Sequence, residues 1–598
     1  MAKRYVIIGA GAAGLYTAYR LLKSGTVSTD QGDTLNLFEW SDRPGGRIYT
    51  YKLDDTGLYC EFGGMRFATD PNFPNTITEG HVLVQQMIVE LGLHENPNRV
   101  VPFQQSSDRL YYLRGSNVYE SSLTTINGLP YNFNEEFKQF IKSIPTQPQP
   151  TYTADTILGQ IAAVFAPNLG SANAYRPAWC TYFAKGAVGN NGATTSFPAG
   201  TPVQDIGYWN LLYDQLGDEG FDYAADGTGY ESNVINWNSA DAMQANNDYG
   251  SSVPYCRLDG GYSLLFQTLE NAIISLMPLP GGGSSILHKQ QLIALDDSSD
   301  DGTTTCSFLN HQTGSPIPYT VTADVLFLAL PRRALELVAQ GNPDCALNNK
   351  DVKRYLESSI DQPAIKVVMV SNKAWWAGGA CKYPPKLVPP TNHPDAKKSQ
   401  WVGGATITDL PLRMIYYFGN NIPGGPGLDG GPYVLLASYD DMNYSSFWRE
   451  VEITGDYQVA PSLMLQPLTG PTSVPLNSPM AGLLVKQIAE VHGVDPQIIQ
   501  STTTAIFFQD WGQDPFGGGY HGWSSHYNIC DVMDKIRAPY QKVLGGQRQT
   551  YIVGSCYSFD QAWVEGAFCT AESVLQDFFG LFPFRNVENY QLICKSSS

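Results

Sequence analysis

Tyr5-Val6-Ile7-Ile8-Gly9-Ala10-Gly11-Ala12-Ala13-Gly14-Leu15 is the stretch that decides the fold. Its first four residues read as a short buried strand, the run Ala12 to Leu22 reads as a helix, and the glycines between stand at the spacing G-x-G-x-x-G. In such a turn Gly9 makes the bend, Gly11 lets the backbone approach a pyrophosphate, and Gly14 lets helix and strand pack closely. The phosphates then sit on the helix N-terminus. Further along, Thr34 to Phe38 reads as a second strand, and Glu39 ends it 25 residues after Gly14. A carboxylate there can accept from both hydroxyls of a ribose and disfavours a 2'-phosphate.

Arg43-Pro44-Gly45-Gly46-Arg47-Ile48-Tyr49-Thr50 follows at once. Two glycines allow close backbone approach and two arginines supply charge-assisted contacts to a pyrophosphate. This R-x-G-G-R-x-x-T run resembles the second FAD signature of the flavin amine oxidases. Three further segments carry the same resemblance: Glu61-Phe62-Gly63-Gly64-Met65-Arg66, the strand Ala323 to Pro331, and Trp563-Val564-Glu565-Gly566-Ala567. The motifs run from residue 5 to residue 568, so the similarity spans nearly the whole chain. One departure is Gly554-Ser555, where members usually have Gly-Glu, so a contact to the cofactor made by that glutamate is in question here.

The resemblance implies a non-covalent FAD held by Gly9, Gly11, Ala13, Gly14, Glu39, Arg43, Gly46, Arg47, Gly64, Met65, Arg66, Leu292, Gly554, Ser555, Ala562, Trp563 and Val564. It is of the L-amino acid oxidase type, because Gly63-Gly64-Met65-Arg66 matches the segment whose arginine holds a substrate carboxylate. A guanidinium suits that task, since it forks onto a carboxylate with two parallel hydrogen bonds. Tyr439, after the apolar run Val434 to Ala437, is the implied second carboxylate partner. Lys366, charged within the apolar run Ile365 to Val370, matches the lysine that holds a water against the flavin, and burial would lower its pKa. Trp563 and Ala562 match the wall beside the substrate amine. Trp511, Phe516 and Trp523 resemble a further family segment, with a structural role equally open. The implied reaction uses an L-amino acid and dioxygen and releases the 2-oxo acid, ammonia and hydrogen peroxide. A carboxamide-forming amino acid monooxygenase and an amine or polyamine oxidase are the alternatives.

The remaining features set bounds. At 598 residues the chain exceeds a single core. The strands Tyr5 to Ile8, Val325 to Leu330 and Tyr551 to Val553 lie hundreds of residues apart, so an α/β class is expected, with a discontinuous Rossmann-like domain. That FAD-binding domain is read as residues 1–70, 250–340 and 545–598. An α+β substrate-binding domain takes 71–115 and 341–544, and a mostly helical insertion takes 116–249. His81 to Leu91 and Glu135 to Ile144 read as helices, while Asp296 to Pro318 and Gly378 to Gly404 read as loops. A net charge of −19 and the lack of any Lys/Arg run exclude a nucleic-acid partner. No stretch reaches the roughly 20 apolar residues of a membrane span. The N-terminal apolar run turns into the glycine motif rather than a cleavage site, so a soluble, cytoplasmic protein is expected. Ten cysteines without a C-x-x-C pair read as reduced thiols, and eight scattered histidines indicate no metal. A homo-oligomer, dimer or larger, is the expected assembly.

Overall fold

The computed structural model describes residues 2–53, 57–103, 108–145, 151–166, 176–189, 192, 194–248, 254–277, 283–377, 379–386, 404–419, 431–453, 468 and 470–595. Its first layer is a five-stranded parallel sheet in the order Ser285–Leu287, Thr34–Phe38, Arg4–Ile8, Val325–Leu328, Gln549–Ile552. The middle strands are covered on both faces, which is why they are runs of Val, Ile, Leu and Phe without polar alternation. Arg4 closes the start of the sheet by pairing with Asp324 at 2.8 Å. The helix Ala12–Lys23 crosses from the first strand to the second and packs against Ser263–Leu276 and Val564–Phe579. Glu572, fully buried on the last of these, ties it to the first: it takes Arg20 Nε and Nη2 at 2.9 Å and the Tyr16 hydroxyl at 2.9 Å.

The class is α/β, and a second large layer carries the other half of the chemistry. It is a mixed eight-stranded sheet in the order Thr472–Ser473, Thr503–Asp510, Ala364–Ser371, Tyr433–Asp441, Met414–Gly419, Ala405–Thr408, Leu110–Leu113, Ser116–Tyr119. Ala364–Ser371 is buried at every residue, flanked antiparallel on both sides, and pairs Lys366 with Tyr439. Directly opposed residues of an antiparallel pair share a face, so this register places the lysine and the tyrosine side by side. Between Ser116–Tyr119 and Ser285–Leu287 the chain runs through helices that include Ala154–Phe165, Tyr208–Thr228 and Ser239–Asp248.

Two expectations are corrected. Asp296 to Pro318 is not a loop. Gln290–Asp296, Thr304–Asn310 and Ile317–Ala323 form a three-stranded antiparallel sheet, with the turns confined to the stretches between them. Thr304–Asn310 alternates buried and half-buried residues, so a period of two was present under a composition dominated by Thr, Ser and Asp. The second loop, Gly378 to Gly404, falls mostly outside the described residues. The cysteines are not all reduced either: Cys530 and Cys594 form a disulfide across 64 residues. Spacing cannot reveal such a pair, because only the folded chain brings the C-terminal tail onto the helix Ile529–Ile536. Closing a loop of that length restricts the unfolded chain by up to about 4 kcal/mol. Cys594→Ser is therefore expected to lower the thermal midpoint under oxidising conditions, and a reductant to lower that of the parent to the same value. No helix among the described residues is long and apolar enough to cross a membrane.

Candidate active site

The glycine turn is shaped by contacts that only glycine permits. Gly9 has φ +99°, and a Cβ there would stand 2.6 Å from the Ala329 carbonyl oxygen. A Cβ at Gly14 would stand 1.9 Å from the Gly9 oxygen, inside the backbone of the turn. At Gly11 an added Cβ meets nothing within 4 Å, because that side opens on the main cavity. The second motif is folded onto the first: Gly45 N–H donates to the Ala10 carbonyl at 2.8 Å, and Gly46 lies against Gly11.

Two arginines complete this end. Arg47 lines the cavity and donates to the Gly519 carbonyl at 3.3 Å and the Ser555 hydroxyl at 3.4 Å, with burial pulling its pKa down. Arg43 lies over the Tyr49 ring at 3.9 Å and donates to the Ile48 carbonyl, but its Nε and Nη2 are buried without a partner. Glu39 accepts from the Ala10 and Ser41 amides at 2.7 and 2.8 Å. An open glycine cradle at a helix N-terminus, beside buried guanidinium hydrogens that lack acceptors, fits a pyrophosphate-bearing cofactor. Gly46, at φ +57°, is a sensitive point, since a side chain in the left-handed region costs about 1–2 kcal/mol. Gly46→Ala is expected to weaken FAD binding about tenfold, read as the Kd of the apoprotein by flavin fluorescence.

The main cavity is open to solvent, and together with its mouth it spans about 1360 Å³. Gly11, Ala13, Gly46, Arg47, Gly64, Met65, Arg66, Lys366, Tyr439, Gly554, Ser555, Ala562, Trp563 and Val564 all line it, so one space brings together residues from the N-terminus, the centre and the C-terminus of the chain. Gly9 and Gly14 lie within the turn rather than on the wall. Glu39, Arg43 and Leu292 do not line the cavity, and Leu292 sits in the small antiparallel sheet.

The catalytic end is built on the fully buried Lys366. Its Nζ donates to the Gly63 carbonyl at 2.5 Å and the Glu61 carbonyl at 3.3 Å, and stands 4.6 Å from the centre of the Tyr439 ring. Burial draws its pKa down to about 7, with the Glu61 charge opposing and Arg66 adding to the fall. Burial raises the Tyr439 phenol, so its hydroxyl stays protonated and able to donate. The Arg66 guanidinium lies over the rings of Tyr255 and Phe103 at 4.7 and 5.1 Å. Trp563 stacks on Tyr255 at 5.5 Å and meets His81 edge-on at 4.8 Å, so one aromatic wall orients both the arginine and the tryptophan.

Trp511 and Phe516 line the cavity, and the Trp511 indole donates to the Phe62 carbonyl at 2.7 Å; Trp523 is fully buried away from it. Sequence reasoning missed Tyr230, Tyr520 and Gln561, which also line it. Tyr520 is held by Ser232 at 2.8 Å and by a short hydrogen bond to Asp441. The glycine run Gly517-Gly518-Gly519 before it was a signal of close backbone approach, whereas nothing in the sequence distinguishes Tyr230 from other tyrosines.

Fold and cavity define a flavin-dependent oxidoreductase, and comparison with known proteins places it: the chain belongs to the flavin containing amine oxidoreductases, whose family model matches residues 12–447. FAD is its cofactor. Aplysianin-A of Aplysia kurodai is 25% identical over 96% of this chain and 89% of its own. An L-amino-acid oxidase of Bungarus fasciatus is 34% identical over 94% of this chain and 84% of its own. Among solved structures, cyclohexylamine oxidase from Brevibacterium oxydans superposes with a TM-score of 0.57 at 13% identity, covering 97% of this chain and all of that one.

Proposed function

We propose that the chain is an L-amino acid oxidase, converting an L-amino acid, water and dioxygen to the 2-oxo acid, ammonia and hydrogen peroxide. The observation that carries this reading is that Arg66 and Tyr439 open on the same cavity as the glycine cradle and Lys366. Bound FAD supplies the acceptor for two substrate electrons, which pass on to dioxygen.

Arg66 forks onto the substrate carboxylate, and the Tyr439 hydroxyl donates beside it. This clamp fixes which substituent of Cα meets the cofactor, and positioning of that kind is the main contribution of the protein to the rate. Lys366, neutral above about pH 7, takes up a proton at Nζ as the substrate ammonium becomes the reactive neutral amine. Trp563 and Ala562 exclude water and orient the amine. Gly11, Gly46, Arg43, Arg47, Glu39 and Ser555 hold FAD without a covalent bond. On this reading residues 1–70, 250–340 and 545–598 form the FAD-binding unit, 71–115 and 341–544 the substrate-binding unit, and 116–249 the helical insertion, whose first residues, Ser116–Tyr119, are a strand of the eight-stranded sheet.

The test is an assay of peroxide and 2-oxo acid release against L-amino acids, their D-enantiomers and primary amines. Both products from L-amino acids alone support the reading. Peroxide from amines that lack a carboxylate moves the assignment to an amine oxidase, and a carboxamide product moves it to an amino acid monooxygenase.

A further inference from the structure

The strand Thr503–Asp510 pairs with Ala364–Ser371 on the side away from Tyr433–Asp441, and its register sets Gln509 directly across from Lys366. Lys366 therefore has Tyr439 on one flank and Gln509 on the other, all three on one face of the sheet. That face grips the segment Glu61 to Gly63. Lys366 Nζ donates to the Glu61 and Gly63 carbonyls, and the indole of Trp511, two residues beyond Gln509, donates to the Phe62 carbonyl between them.

Gln509 stands amid these contacts and takes part in none. Its side chain is fully buried, and neither Nε2 nor Oε1 has a hydrogen-bond partner. Phe507, on the same face, packs on the Tyr51 ring at 5.3 Å, so the strand offers aromatic neighbours on that side. A buried amide without partners is costly and uncommon in native proteins. Leucine would fill similar space without that cost, so an amide here is explained by a partner that the resting contacts do not use. Lys366 is the titrating group directly opposed to it, and opposed Cβ atoms stand about 4.5–5.5 Å apart, within the combined reach of the two side chains.

As a neutral amine Nζ has two hydrogens, and the Gly63 and Glu61 carbonyls account for both. As an ammonium it has three. The Phe62 carbonyl is already held by Trp511, and the Tyr439 ring offers its face, 4.6 Å away. We infer that Gln509 is a positioning residue for proton uptake at Lys366, its Oε1 accepting the third N–H once the substrate ammonium has passed its proton to Nζ. The inference rests on the reading of Lys366 as the proton acceptor, and it holds for an amino acid or an amine alike, since both bring an ammonium group. The proton moves from the substrate nitrogen to Nζ, a rotation about Cε–Nζ turns one N–H toward the amide, and no electrons are exchanged in this step. The charged groups facing Lys366 are Glu61 and Arg66, while burial keeps the Cys60 thiol and the Tyr439 phenol protonated. On the neighbouring strands, Asp441 is engaged by Tyr520 and Ser232, and Asp510 is paired with Arg449.

The experiment records kcat and kcat/KM between about pH 5 and 10 for the FAD-loaded parent, Gln509→Leu, Gln509→Glu and Lys366→Met, with the substrate that the product assay identifies and with flavin content read from the visible spectrum. Leucine removes the acceptor, and the limb that rises through about pH 7 in the parent is expected to move down by about one pH unit. Glutamate keeps the shape and adds a charge, and the same limb is expected to move up by at least about one unit. In Lys366→Met the limb is absent, and adding Gln509→Leu to that variant is expected to leave the remaining profile in place. A packing role gives no such pair of opposite displacements, because lost packing lowers the rate equally at every pH. If one Gln509 variant does not fold, the other still reads its displacement against the parent. A limb that stays at the parent's pH in every folded Gln509 variant, or that moves the same way in both, overturns this inference and leaves Lys366 as the proton acceptor. A parent profile without a limb that Lys366→Met removes overturns both.

Discussion

Arg66→Leu is expected to lower kcat/KM for L-amino acids by about 10³-fold, close to 4 kcal/mol of transition-state stabilisation. Truncating one member of a buried, hydrogen-bonded ion pair costs about 2–5 kcal/mol, and loss of orientation adds to that when the carboxylate also aims Cα. The aromatic bed of Tyr255 and Phe103 limits how far the guanidinium can swing, so the geometry it offers is largely set before substrate arrives. Arg66→Lys separates charge from shape. An ammonium keeps the charge but not the planar fork, and an intermediate loss of about 10- to 100-fold is expected, mostly in kcat. Flavin content, read from the visible spectrum, is the control for cofactor loss. Amines without a carboxylate should respond far less than amino acids. Wild-type turnover of L-amino acids by a flavin-loaded Arg66→Leu enzyme would falsify the clamp.

Four strands of the parallel sheet were legible because they are short apolar runs and because the glycine turn can be built in few ways, whereas the edge strand Ser285–Leu287, short and flanked by glycine and serine, was not read. The lysine-bearing strand was readable because a charged residue inside an unbroken apolar run stands out. What could not be read depends on contacts between distant segments. The Lys366–Tyr439 register joins residues 73 apart, and the Cys530–Cys594 bridge joins a helix to the tail. The strands within 304–323 were hidden by composition: Thr and Ser favour turns in sequence statistics, yet Thr also suits a half-buried strand when one face packs on apolar neighbours such as Phe308.

Lys366→Met is expected to lower kcat/KM by about 10²- to 10³-fold and to change the shape of the pH profile, the usual scale for loss of a positioned acid or base. Lys366 is protonated below about pH 7 and neutral above it. If the neutral amine is the competent form, activity in the parent rises as pH climbs through about 7 and levels off above; in the methionine variant that limb disappears, leaving only the ionisation of the substrate. A structural role would instead lower the rate equally at every pH. Stability supplies an independent reading of the same group. The folded pKa lies below the ordinary lysine value of 10.5, so between about pH 7 and 10.5 the unfolded chain binds more protons than the folded one. Stability contributed by this site therefore rises with pH across that window, and the burial cost is fully present below pH 7. Methionine has similar length and no charge to desolvate, so the variant is expected to melt higher than the parent at pH 6, with the difference shrinking toward pH 10. If it melts lower at pH 6, the hydrogen bonds from Nζ to the Gly63 and Glu61 carbonyls outweigh the cost of burying the charge, and the lysine is then to be read as a brace for the Glu61 to Arg66 segment rather than as the proton carrier.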